Sequence, residues 1–149
     1  MLQRLVADVA MTTPMWCLLG FAAWTLLLLA GVLGWRAVDV LRGVKRSNEF
    51  PSGVPHGTDL YWRLNRAHLN CTENLPVLGA VVLVGTFAGL GRAENFALAA
   101  QIYLAARVAQ TTFHLSSNAA MVVNLRFTAQ CTQVGMLAWM MVQIARSAA

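Results

Sequence analysis

The stretch Arg63-Leu64-Asn65-Arg66-Ala67-His68-Leu69-Asn70-Cys71-Thr72-Glu73-Asn74-Leu75-Pro76 carries charge straight into a hydrophobic segment. From Leu75 to Gly91 the chain holds no charged residue and is largely apolar, which reads as a membrane span. Ionisable groups at the mouth of a span are costly unless they pair or line a wet cavity, so they are functional candidates. Arg63, Arg66, Asn70 and Glu73 follow one another by three, four and three residues, which places all four on one helical face. Such a face is not turned toward lipid.

The sequence on either side agrees. Upstream, Val9 to Trp35 are 27 residues without a charge, more than the roughly 20 a spanning helix needs. That run is too long for the h-region of a signal peptide, about 7–15 residues, and reads as a retained span. Downstream, a third span near Asn95–His114 is interrupted by Arg107, Gln110 and His114. A fourth contains the 19 uncharged residues Phe127–Ala145, with Gln130, Gln133 and Gln143 among them. The expectation is an all-α membrane protein: one domain over 1–149, a four-helix bundle with spans at about 12–35, 66–90, 95–114 and 122–145. The cytoplasmic loop covers about 36–62. Its Phe50-Pro51-Ser52-Gly53-Val54-Pro55 is a turn-rich break, after which Thr58 or Asp59 caps the next helix.

Composition excludes the ordinary soluble class. The chain is 58% hydrophobic and only 11% charged, against about 25% charged in soluble domains. Its net charge of +5 does not call for nucleic acid. Six of the eleven basic residues (Arg36, Arg42, Lys45, Arg46, Arg63 and Arg66) flank the first long loop, and the positive-inside rule accounts for them. Only Arg4, Arg92 and Arg146 fall on the other side, so both termini are expected outside the cytoplasm. Cys17, Cys71 and Cys131 show no metal-ligand spacing and are expected to be small core residues. No metal site is expected.

Two further polar stripes end at the same membrane face as the first. Tyr103, Arg107, Gln110 and His114 step by four, three and four; Arg126, Gln130 and Gln133 step by four and three. Interhelical hydrogen bonding accounts for part of this pattern. The three stripes together hold four arginines against one glutamate, a surplus suited to an anionic ligand, carboxylates in particular. Glu73 paired with Arg66 or Arg107 is the structural alternative, as are snorkelling for Arg63 and packing roles for His68, His114, Gln130 and Gln133.

Arg63-x-x-Arg66-Ala67-His68-x-Asn70-x-x-Glu73-Asn74, followed by Pro76, resembles the signature of the MAPEG family, membrane-associated proteins in eicosanoid and glutathione metabolism. Ala106-Arg107-Val108-Ala109 and Leu125-Arg126 are similar to its third- and fourth-helix arginine motifs. The resemblance implies a homotrimer in the membrane, here a bacterial-type member of the inner membrane resembling the microsomal glutathione transferases. It implies glutathione as co-substrate, bound between subunits by Arg42, Arg66, Asn70, Glu73 and Arg107. Arg126 is then the cation beside the thiol, with help from His114, and the second substrate is a small hydrophobic electrophile or a peroxide. The chain departs from the prostaglandin synthase branch, which carries His, Tyr, Ser and Tyr where this sequence has Gln110, His114, Phe127 and Gln130. Prostaglandin synthesis is therefore not expected. The departures also motivate an alternative, a non-catalytic lipid- or partner-binding protein on the same fold.

Overall fold

The computed structural model describes residues 11–51, 53–117 and 119–147. Arg4, Ser52, Asn118 and the ends of the domain expected over 1–149 lie outside the described residues. Four helices follow in order: α1 Thr13–Leu41, α2 Asp59–Phe87, α3 Glu94–Ser116 and α4 Ala120–Ser147, with a 3-10 turn at Leu90–Arg92 before α3. Among the described residues there is no strand.

Local chemistry explains the helix ends. Pro14 sits in the first turn of α1, where its missing N–H costs nothing. Thr58 caps α2, its side chain accepting from the Tyr61 backbone N–H at 3.2 Å, and Asp59 adds a favourable charge in that first turn. Asp59–Phe87 thus begins well ahead of the apolar span expected from residue 66, because the charged turns belong to the helix but not to the apolar segment. Gly89, at φ +81°, lets the chain leave α2 in a left-handed turn. Arg36 Nε donates to Tyr61 Oη at 2.8 Å, and Arg36 and Lys45 both lie over the Phe50 ring. These contacts tie the long loop to the ends of α1 and α2.

The core is formed by Cys17, Phe21 and Leu28 of α1, Cys71, Leu78, Val81 and Val82 of α2, Phe96, Ala99, Ala100 and Tyr103 of α3, and Leu137 and Met140 of α4. α3 packs on all three other helices, most extensively on α4, while α2 packs mainly on α1. At Gly85 the Phe96 ring comes so near that a Cβ would lie 2.2 Å from Cζ; the missing side chain is what brings α2 and α3 together there. α4 buries only Gln133, Leu137 and Met140, so Cys131 is exposed rather than in the core, unlike buried Cys17 and Cys71.

The outer surface is apolar. Leu26, Leu27, Phe87, Met121 and Phe127 are among many large hydrophobics facing outward, far more than a soluble monomer leaves in water. α1 and α2 are long and apolar enough to cross a membrane. α3 and α4 are long enough at 23 and 28 residues, but their polar stripes keep them below the same apolar mark.

Candidate functional site

The polar residues of α3 form the spine of the site. Tyr103, Arg107 and Gln110 are buried on its inner face, with His114 half-buried one turn beyond. Arg107 is 1% exposed. Its Nη1 donates to Asn70 Oδ1 at 3.2 Å and to Gln110 Oε1 at 2.8 Å, and its guanidinium lies 5.5 Å from the Phe21 ring centre and 6.0 Å from that of Tyr103. The cation is therefore held by amide oxygens and aromatic faces. Its Nε and Nη2 have no hydrogen-bond partner among the described residues.

Gln110 joins α3 to α4. Its Nε2 donates to Gln130 Oε1 at 2.8 Å and to the Arg126 carbonyl at 3.4 Å. Its Oε1 accepts from Gln133 Nε2 at 3.1 Å, and Gln133 also donates to the Ala129 carbonyl at 3.0 Å. These bonds hold the α4 backbone that carries Arg126. The Arg126 side chain reaches back to α3, with Nη1 2.6 Å from His114 Nδ1.

Two cavities adjoin this network. One, of about 190 Å³, is lined by Ala67, Asn70, Gln110, Thr111, His114 and Arg126. The other, of about 330 Å³, is lined by Arg66, Leu69, Asn70, Glu73 and His114. Asn70 and His114 border both. Half-buried Asn70 is positioned by Arg107 and by Asn74, whose Nδ2 donates to its side-chain and backbone oxygens at 3.1 and 2.8 Å.

Of the residues singled out in the sequence, the fold brings Arg66, Asn70, Glu73, His114 and Arg126 to these cavities. Arg107 lines neither; it lies behind Asn70 and Gln110. Arg42 stands apart, exposed at the end of α1 beside a cleft of about 380 Å³ with Gly34, Trp35, Val38 and Asp39. The α2 stripe is not turned inward as a whole: Arg66 and Glu73 are exposed, Arg63 and Asn70 half-buried. Their neighbours Asn65, Ala67 and Cys71 take the buried side. Glu73 makes no ion pair with Arg66 or Arg107 among the described residues, and Arg107 takes amide partners in its place.

Sequence reasoning passed over Thr111 and Trp24. Thr111 lines the smaller cavity, donates to the Arg107 carbonyl at 3.0 Å and receives the Trp24 indole N–H at 3.3 Å. Its position four residues after Arg107 places it on the same helical face. The signal was available for Thr111. Trp24 carried none, because its contact crosses between helices.

No curated protein matches the chain. The model of the MAPEG family matches residues 13–146, nearly its whole length, and the family's members are helical bundles in membranes. With four helices among the described residues, an apolar exterior and polar residues of α2, α3 and α4 gathered around two cavities, this chain belongs to the MAPEG family.

Proposed function

We propose that the protein binds glutathione in the two adjoining cavities and transfers it to hydrophobic electrophiles that arrive from the lipid, Arg126 stabilising the thiolate. One observation carries this reading: Arg126 and His114 sit in contact on the wall of a cavity that meets a second one holding Arg66 and Glu73. The donor set fits the tripeptide. Guanidinium groups suit its two carboxylates, and the Glu73 carboxylate suits its ammonium group. Arg107 acts indirectly, by holding Asn70 at the border of both cavities.

The chemistry asked of the chain is modest. A guanidinium beside the sulfur favours the thiolate, which is the attacking species. Its electron pair forms the new S–C bond, and the leaving group departs with the pair of the bond that breaks. With a peroxide, sulfur attacks one oxygen as the O–O bond breaks, and the departing alkoxide takes a proton to become the alcohol. A second glutathione then converts the sulfenic acid to the disulfide, releasing water.

A homotrimer completes this reading. Arg66 and Glu73 lie exposed on a helix apolar enough to cross a membrane, where lipid is a poor neighbour for charge. A second copy covering that face removes the problem, and Arg42 then serves an adjoining subunit. The basic residues of the loop at 36–62 support a reading in which this end of the bundle faces the cytoplasm, with both termini outside and the protein in a bacterial inner membrane.

The test is a glutathione difference spectrum at about 240 nm, where thiolate absorbs and thiol does not, on detergent-purified protein with Arg126→Ala alongside. Thiolate absorbance in the wild type that vanishes in the variant is expected. Equal thiolate in both would show that the cation is wrongly assigned. The second reading, a non-catalytic lipid- or partner-binding protein, is favoured by the lack of a hydroxyl at positions 127 and 130, which neighbour Arg126 on α4. Phe127 faces outward there and Gln130 is engaged by Gln110. Saturable glutathione binding without thiolate, or no binding at all, would select it.

A further inference from the structure

Among the described residues, His114 is the one side chain that both touches Arg126 and borders both cavities. Its two ring nitrogens have different surroundings. Nδ1 lies 2.6 Å from Arg126 Nη1, and a guanidinium has only donors to offer. Nδ1 must therefore accept, so the ring is neutral and carries its hydrogen on Nε2. Nε2 is shielded from solvent and has no partner among the described residues. The charged groups around the ring are Arg126 of α4 and Arg66 and Glu73 of α2, with Arg63 one turn further along α2. The remaining wall groups near the ring, Ala67, Asn70, Gln110 and Thr111, are uncharged.

We infer that His114 is a second thiol-directed group, with two tasks at one ring. Through Nδ1 it fixes the direction of the Arg126 guanidinium, and through Nε2–H, uncovered as the thiol settles against the ring, it gives a hydrogen bond to the sulfur of the bound thiolate. The inference rests on the glutathione reading above and adds a residue-specific mechanism to it. An acceptor at Arg126 costs that cation none of its charge, while the second donor adds to its effect on the sulfur. The neutral ring supplies this donor without bringing a further positive charge to a wall that already holds arginines. A protonated ring would lose the acceptor and place two cations in contact. The other polar wall residues on α3 have their donors engaged, Gln110 through both its amide atoms and Thr111 through its bond to the Arg107 carbonyl, which leaves His114 as the uncommitted donor on that helix among the described residues.

Two measurements on the full-length protein in detergent decide it. In protein labelled with ¹⁵N-histidine, His114 is one of only three histidines, and its signals are assigned by their loss in His114→Phe. A neutral Nε2–H tautomer at mildly alkaline pH is expected with no ligand present; an Nδ1–H tautomer or an imidazolium there overturns the inference. The second measurement titrates the thiolate absorbance of bound glutathione in the wild type, His114→Phe and His114→Gln. The Phe variant is expected to raise the bound thiol's pKa by about one unit, a roughly tenfold loss of thiolate at fixed pH, with glutathione affinity changed by less than about threefold. Gln, which keeps an N–H donor, recovers part of the shift. A purely structural role would lower affinity and thermal stability in both variants and leave the bound thiol's pKa alone, and that result overturns the inference. Wild-type protein that binds no glutathione defeats the glutathione reading and the sulfur contact with it. Wild-type thiolate that persists unchanged in His114→Phe defeats only the role of His114.

Discussion

Replacing Gln110 with Leu tests whether the polar network holds α3 and α4 together. The side chain is 7% exposed and takes part in four hydrogen bonds, to Arg107, Gln130, Gln133 and the Arg126 carbonyl. Leu keeps the bulk and removes every one. The largest loss is the bond from Arg107, whose donor is charged and buried; such bonds contribute about 1.5–3 kcal/mol. Gln130 and Gln133 are left with unmet amide groups at about 0.5–1.5 kcal/mol each, and side-chain bonds inside membranes sit toward the low end of that scale. Asn70 still accepts from Arg107, and the Ala129 carbonyl still accepts from Gln133, which limits the damage. The gain from the apolar replacement offsets part of the rest. The net expectation is a loss of about 2–4 kcal/mol. At about 2–4 °C per kcal/mol for a chain of this size, that is a fall in Tm of roughly 4–16 °C. Tryptophan fluorescence through a thermal ramp and through titration with a denaturing detergent measures it, with Gln133→Leu and the double variant completing a cycle. Strict additivity of the two single variants, or a Gln110→Leu protein within about 1 kcal/mol of the wild type, would refute the claim that these glutamines couple the helices.

Gly85→Ala places a methyl 2.2 Å from Phe96 Cζ; because that ring is itself buried in the core, a loss of about 1–3 kcal/mol is expected in the same unfolding assay. An unchanged Tm would mean that α2 and α3 are not packed so closely there. Glu73→Ala is expected to weaken glutathione binding at least tenfold by calorimetry while Tm stays within about 2 °C, since the residue is exposed and has no ion-pair partner among the described residues. A collapse in Tm with little change in affinity would place Glu73 in an ion pair with a neighbouring copy. Arg126→Ala, described above, is expected to abolish thiolate absorbance and to lower glutathione affinity less than Glu73→Ala does.

Local periodicity carried a good deal of this protein's architecture. Uncharged stretches mark α1, α2 and α4, and the three-and-four spacing of Tyr103, Arg107, Gln110 and His114 places them on one side of α3 before any packing is known. Buried Tyr103, Arg107 and Gln110 occupy that inner face in the structure. The spacing of Arg126, Gln130 and Gln133 likewise brings them to the α3-facing side of α4, where the first two flank Gln110 and the third donates to it. The helix start at Thr58 was also legible, because a cap depends on neighbours in sequence.

What periodicity does not carry is the rotation of one helix against the next. Arg63, Arg66, Asn70 and Glu73 share a face, yet Asn70 reaches the network while Arg66 and Glu73 stay outside. Cys71, Leu78 and Val82 decide this by taking the inward side of α2, and burying them sets the angle at which the charged stripe is presented. Charge complementarity alone pairs Glu73 with Arg107; the packed bundle gives Arg107 the amide oxygens of Asn70 and Gln110. The contact between His114 and Arg126 has the same origin, since it crosses from α3 to α4 and depends on how Phe96, Tyr103, Leu137 and Met140 seat those helices together. The sequence by itself therefore determined the membrane-type helical composition, the polar stripes along α2, α3 and α4, and the family. Only the tertiary structure decided which members of the stripes meet, because side-chain periodicity is a property of one helix and contact is a property of two.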